Sequence, residues 1–172
     1  MESTNSRRRR CEMHATRIDL PRKGREKVIA LLNANLADAI DLQLQAKHAH
    51  WNVKGPQFIA LHELFDSLAS SLAGHIDEMA ERVTALGGVA EGTLQVIAAR
   101  SRLEPYPIEI SEGRAHLDAL AEALARLAKS VRKAIEEADK AGDADTSDLF
   151  TGVSRELDKQ LWLVEAHLQA DR

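Results

Sequence analysis

At 172 residues, with one cysteine and only 3% aromatic side chains, the chain is sized for a single domain and excludes both an internal disulfide framework and a cysteine-based zinc module. Abundant Ala, Leu, Glu and Arg with only four prolines favour helix over strand, so an all-α fold is expected. The net charge of −4 is unevenly spread: residues 1–25 hold eight basic and three acidic side chains, leaving an acidic body behind a basic arm, a split suited to an anionic polymer at one end and cations at the other.

Residues 1–23 lack apolar periodicity, contain Arg7, Arg8, Arg9 and Arg10 in a row and end near Pro21, which predicts a disordered basic arm ahead of a domain over 24–172. The arm has no apolar stretch of the kind a secretion signal needs, and no later segment approaches the ~18 apolar residues of a membrane span. A soluble, cytoplasmic protein without membrane contact is expected, and the lone Cys11 fits a reducing compartment.

From Arg25 to about Asn52, Val28, Leu32, Leu36, Ile40 and Leu44 form a one-face stripe closed by Gly55 and Pro56, the pattern of a first helix. A second is predicted over Ile59 to Leu86, where Leu61, Phe65, Leu68, Leu72, Ile76, Met79 and Val83 recur in steps of three and four and Gly87-Gly88 follows. Residues 89–110, with Pro105 and Pro107 and a short helix over Leu94 to Ala99, read as a long crossover. A third helix starts near Ser111, a candidate N-cap, and stops at Gly142; a fourth spans about Ser147 to His167. Four long helices with one long middle connection describe a ferritin-like four-helix bundle.

Five metal-capable side chains fall on the first two helices: His50, then His62, Asp66, Asp77 and Glu81. His62 and Asp66 are four apart, as are Asp77 and Glu81, so each pair shares a helical face. The eleven residues from Asp66 to Asp77 keep both pairs within roughly 20° of one face but separate them by about 16 Å, too far for one centre. An antiparallel second copy would bring Asp77 and Glu81 of one chain to His62 and Asp66 of the other, producing two equivalent sites. Ala69, Ser70, Ala73 and Gly74 lie between the pairs and would permit close approach. Either pair alone reads as a solvated face; it is their register on one face that points to metal. Mixed imidazole and carboxylate donors suit Fe(II) and tolerate Zn(II), Co(II) or Mn(II).

The run Lys47 to Gly55, Phe58, Leu61 to Asp66, Asp77 to Arg82, Leu86-Gly87-Gly88 and Leu157 to Trp162 resembles the signature of the Dps family (DNA-binding protein from starved cells), mini-ferritins of the ferritin-like superfamily, over residues 16–168. The resemblance implies a hollow dodecamer built from two-fold dimers. It would act as a ferroxidase, oxidising Fe(II), preferably with hydrogen peroxide, and would store ferric iron and protect nearby DNA in the cytoplasm or nucleoid. His50, His62 and Asp66 of one chain with Asp77 and Glu81 of its mate would be the ferroxidase ligands, Asp66 and Glu81 holding the tighter-bound iron. Trp51 then has two readings, an interface aromatic or an oxidisable group that intercepts radicals. His48, two residues before His50, is expected to point away from the site. Asp139, Asp143, Asp145 and Asp148 lie where the family places a three-fold pore, or else serve solvation and the helix dipole. Arg7 to Arg10 suit sequence-independent phosphate contacts multiplied over a shell, or a merely solubilising arm. Two other functions stay open: a mainly DNA-compacting protein, and an iron store without DNA affinity.

Overall fold

The computed structural model describes residues 13–169. Within them the chain forms α1 (Arg22–Asn52), α2 (Phe58–Ala85), α3 (Leu94–Arg100), α4 (Gly113–Lys140) and α5 (Ala144–Leu168), with no strand among the described residues. Helix α1 packs on α2 and α4 on α5, while α1 also meets α4 and α2 meets α5. No helix among the described residues is long and apolar enough to cross a membrane.

The helix directions follow from two contacts at opposite ends of the bundle. The Lys54 amide, just past α1, donates to the Ser111 carbonyl before α4 at 2.8 Å, and Lys27 near the start of α1 pairs with Glu137 near the end of α4 at 2.6 Å. Helices α1 and α4 therefore run antiparallel. Since α2 begins beside the same end at which α4 begins, those two run in the same direction, which is why a crossover is needed between them. It is tied down by buried polar groups of α1. Asp38 accepts from the Arg102 guanidinium at 2.6 and 3.0 Å and from the Arg102 amide at 2.8 Å, and Asn33 bonds Val89 O and Glu91 N. Only Ile97 of α3 is buried, so polar ties rather than apolar burial hold this segment.

The core is aliphatic and runs the length of the bundle, with Leu32, Leu36, Leu42, Phe65, Leu72, Leu120, Leu124 and Phe150 fully buried. Leu44, placed by sequence on the core stripe, is 48% exposed. Strict four-residue steps advance roughly 40° each around a helix, so the stripe from Val28 turns out of the core by Leu44. The buried line instead continues through Ala39, Leu42, Ala46 and Ala49.

Two helix starts also differ from expectation. Glu112 rather than Ser111 occupies the N-cap of α4, without a side-chain cap. Helix α5 begins three residues earlier than Ser147, because the Asp143 carboxylate accepts from the Thr146 amide at 3.0 Å and from its hydroxyl at 2.6 Å. Asp143 is buried and also bonds Arg82 of α2 at 2.7 Å. Arg82→Ala would leave this carboxylate buried without its cation. It is expected to lower stability by about 3 kcal/mol in calorimetric unfolding; a loss below about 1 kcal/mol would mean that the pair acts as a surface contact.

The arm expected to extend to residue 23 is shorter where it is described. Helix α1 starts at Arg22, and residues 13–21 lie along the body with Ile18 and Leu20 against the core. Gly87, at φ +88°, turns the chain after α2 and offers its carbonyl to the His14 amide at 2.8 Å. Arg25 bonds Leu20 O and Leu86 O, fastening both segments to α1.

Candidate metal centre

The end of α1 and the start of α2 are joined by a tight corner in which Gly55 takes φ +116°, a conformation that favours glycine. The corner sets His50 beside His62, with ring centroids 3.7 Å apart and planes inclined by 21°. Each ring is pinned by the other residue's backbone: His50 Nδ1 lies 2.8 Å from His62 O, and His62 Nδ1 lies 2.8 Å from His50 O. A carbonyl oxygen can only accept, so both Nδ1 atoms carry hydrogen and, in the neutral rings, both Nε2 atoms keep a lone pair for a metal ion. Phe58 flanks His62, with centroids 5.1 Å apart.

Asp66, one turn along α2, accepts from Lys47 Nζ at 2.6 Å. The Lys47 hydrogen bond, aided by the charges of Lys47, His50 and His62 and opposed by partial desolvation, holds the Asp66 carboxyl below its usual range. Asp66 is thus ionised at neutral pH and carries a lysine as counter-ion, the role a bound cation would take over. Lys47 also lies 5.6 Å from the centroid of the exposed Trp51 ring. Sequence spacing did not reveal Lys47 at this site, since it and Asp66 sit on different helices and meet only through the α1–α2 corner.

Asp77 and Glu81 are placed farther along α2, exposed, and neither carboxylate has a hydrogen-bond or ion-pair partner among the described residues. The structure therefore sets His50 against His62 and Asp66 against Lys47, and leaves Asp77 and Glu81 farther along α2. Among the described residues, no three His, Cys, Asp or Glu side chains of one chain gather closely enough to hold a metal ion. Between the two pairs Ser70, Ala73 and Gly74 are exposed, and a Cβ added at Gly74 would meet nothing within 4 Å. Ala69, counted with them from the sequence, is buried within the bundle.

The ferritin-like domain model matches residues 29–172. The chain is 51% identical to the DNA protection during starvation protein of Agrobacterium fabrum over 156 residues, covering 91% of this chain and 96% of that protein. Among solved structures it is similar to Mycobacterium smegmatis Dps in its tetragonal form, with TM-score 0.87, 35% identity and coverage of 92% and 96% of the two chains. It is also similar to a Dps protein of Vibrio cholerae O1 described as a member of the ferritin-like diiron-carboxylate superfamily, with TM-score 0.85, 26% identity and coverage of 92% and 99%. This chain belongs to the Dps family.

Trp51 is 67% exposed on the outer face of α1, with Leu44 exposed one heptad before it. Asp139, Asp145 and Asp148 are exposed around the α4–α5 corner. Asp143 is buried and its oxygens are taken up by Thr146 and Arg82, so in this Dps chain it caps a helix. Arg7 to Arg10 lie outside the described residues. His48 does turn away from His50, and its ring stands edge-on to Tyr106 with centroids 5.3 Å apart. Tyr106 in turn bonds His116 of α4 at 2.7 Å. Sequence spacing did not reveal that contact, because Tyr106 lies in a loop with no periodicity to orient it.

Proposed function

We propose that this Dps-family chain oxidises Fe(II), preferably with hydrogen peroxide, at a centre shared between two copies of itself, and stores the ferric product inside a hollow dodecameric shell, so protecting DNA. One observation carries the reading. His62 and Glu81 are centred between residues 71 and 72 of α2, Asp66 and Asp77 share that midpoint, and so do the exposed Ser70 and Ala73. A two-fold axis through this point sets His62 opposite Glu81 and Asp66 opposite Asp77 in one operation, and small side chains face each other where the helices cross. Two centres then form per dimer, each with His50, His62 and Asp66 from one chain and Asp77 and Glu81 from the other.

The donor set fits Fe(II) as substrate: imidazole Nε2 lone pairs beside ionised carboxylates, few enough to leave positions open for an oxidant. Zn(II), Co(II) or Mn(II) would fit as substitutes. Lys47 would give up Asp66 to the incoming cation, which preserves the local charge balance. The diiron-carboxylate description of the Vibrio cholerae relative supports iron as the occupant. Crystals soaked in Fe(II) and measured at the iron edge are expected to show paired anomalous peaks between α2 helices of two-fold mates. Iron found only at other positions would contradict the assignment.

DNA contact is proposed through Arg7 to Arg10, whose charge opposes that of the acidic body; the name of the Agrobacterium fabrum relative favours it as well. Residues 1–25 contain no Phe, Tyr or Trp to stack on bases, so phosphate attraction multiplied over the shell would supply the affinity. Deleting residues 2–10 is expected to abolish gel retardation of duplex DNA at low salt and to leave iron oxidation intact. Unchanged retardation would remove the arginines from the account. A cytoplasmic, nucleoid-associated location follows from this reading.

A further inference from the structure

Tyr106 is the only tyrosine of the chain. It lies on the crossover between α3 and α4, and its hydroxyl is 2.7 Å from Nδ1 of His116, a residue with 0% exposure in the bundle core. Burial raises the proton affinity of the phenol far above its ordinary value, while burial and the neighbouring His48 lower that of the imidazole. Both groups are therefore neutral at rest, and in the tautomer with hydrogen on Nε2 the phenol O–H donates to Nδ1. His116 Nε2 itself has no partner in the structure. In either tautomer a buried ring nitrogen is left unsatisfied, which an apolar pair at these two positions would avoid. The surroundings locate the pair: the His116 ring is 6.1 Å from Phe65, the residue before Asp66, and the Tyr106 ring is 5.3 Å from His48, two residues before His50. Tyr106 and His116 thus lie close to the same helix segments that carry the candidate metal centre.

We propose that Tyr106 and His116 form a proton-coupled electron donor that quenches one-electron oxidants arising from peroxide at the metal centre. The inference rests on the iron reading for the source of the oxidant and of the electron that restores Tyr106. Losing one electron makes a phenol a strong acid, and the hydrogen-bonded Nδ1 of His116 is the base in place to take its proton. Tyr106 gives one electron to the oxidant and its O–H proton to His116 Nδ1, leaving a neutral tyrosyl radical and an imidazolium. When the oxidant is hydroxyl radical, the product is hydroxide. Fe(II) then supplies one electron, the proton returns from Nδ1 to the phenolate oxygen, and Fe(III) is formed with both side chains restored. The net change is one Fe(II) and one hydroxyl radical converted to Fe(III) and hydroxide, without lasting damage to the chain. The exposed Trp51, by contrast, has no buried base bonded to it among the described residues.

The test uses metal-free, assembled, full-chain protein oxidised by flash-generated ruthenium(III) tris-bipyridine and followed by electron paramagnetic resonance. The native chain should give a tyrosyl radical whose spectrum narrows when the tyrosine is ring-deuterated, which separates it from any tryptophan radical. Tyr106→Phe should abolish the signal, and His116→Gln should slow its formation by about a hundredfold. No tyrosyl radical in the native chain, or an equal rate in His116→Gln, would overturn the pair. If His116→Gln fails to assemble, the native protein in heavy water reads the same proton transfer; a rate unchanged by deuterium overturns the proposal. Because this arm contains no iron, it stands or falls apart from the ferroxidase reading. A second arm mixes Fe(II) and peroxide and freezes the sample: the same radical is expected. Its absence in protein that does oxidise iron would overturn the metal centre as the source of the oxidant.

Discussion

Asp66→Ala and Glu81→Ala are each expected to slow peroxide-driven Fe(II) oxidation by at least about a hundredfold, measured by stopped-flow absorbance on assembled protein. The two residues sit in opposite halves of α2, and neither substitution should cost much stability. Asp66 is half exposed and its partner Lys47 is a partly exposed surface cation, so losing that pair removes little. Glu81 is exposed and has no side-chain partner among the described residues. Oxidation should therefore fail while helix content and shell size persist. Asp66→Asn, which keeps the shape and removes the charge, should behave like Asp66→Ala, because an amide cannot replace the anion that Lys47 neutralises at rest. Normal oxidation in either single variant would remove that residue from the site.

The second large effect is expected where no ligand is touched. Ala73 is exposed near the midpoint of α2, and the neighbouring Gly74 has open space around its Cα. Ala73→Arg should therefore leave the single chain folded. In a two-fold pair of α2 helices, however, the new side chain would stand where small residues meet, adding bulk and like charge across the axis. Sedimentation should show loss of the dodecamer, and oxidation should fall as steeply as in Asp66→Ala although every ligand remains. An intact shell with full activity would mean that α2 does not cross its mate at this point.

The two cases show which parts of this protein are legible in its sequence. Helix number, the crossover and the placing of His62, Asp66, Asp77 and Glu81 on one helix follow from hydrophobic spacing, where geometry is fixed by the backbone. Leu44 turns out of the core because a four-residue step drifts around a long helix. Helix α5 starts before Ser147 because the Asp143 carboxylate accepts from the orphan amide of Thr146 and is held in place by Arg82 of α2. Lys47 with Asp66 and Tyr106 with His116 are contacts between different elements, and no periodicity encodes them. The set-aside His48 marks the same boundary, since its direction away from His50 was readable and its neighbour Tyr106 was not.

The central claim, that each centre takes ligands from two chains, is tested most directly by complementation. Asp66→Ala and Glu81→Ala chains are dissociated, mixed in equal amounts and reassembled. In a mixed dimer one centre carries both defects, while the other combines the intact His62 and Asp66 of one chain with the intact Asp77 and Glu81 of its mate. Random pairing should restore about a quarter of the native centres, and rapid Fe(II) oxidation should return to about that fraction from two inactive parents. Mixed shells that remain as inactive as their parents would show that the centre does not join these residues across the dimer.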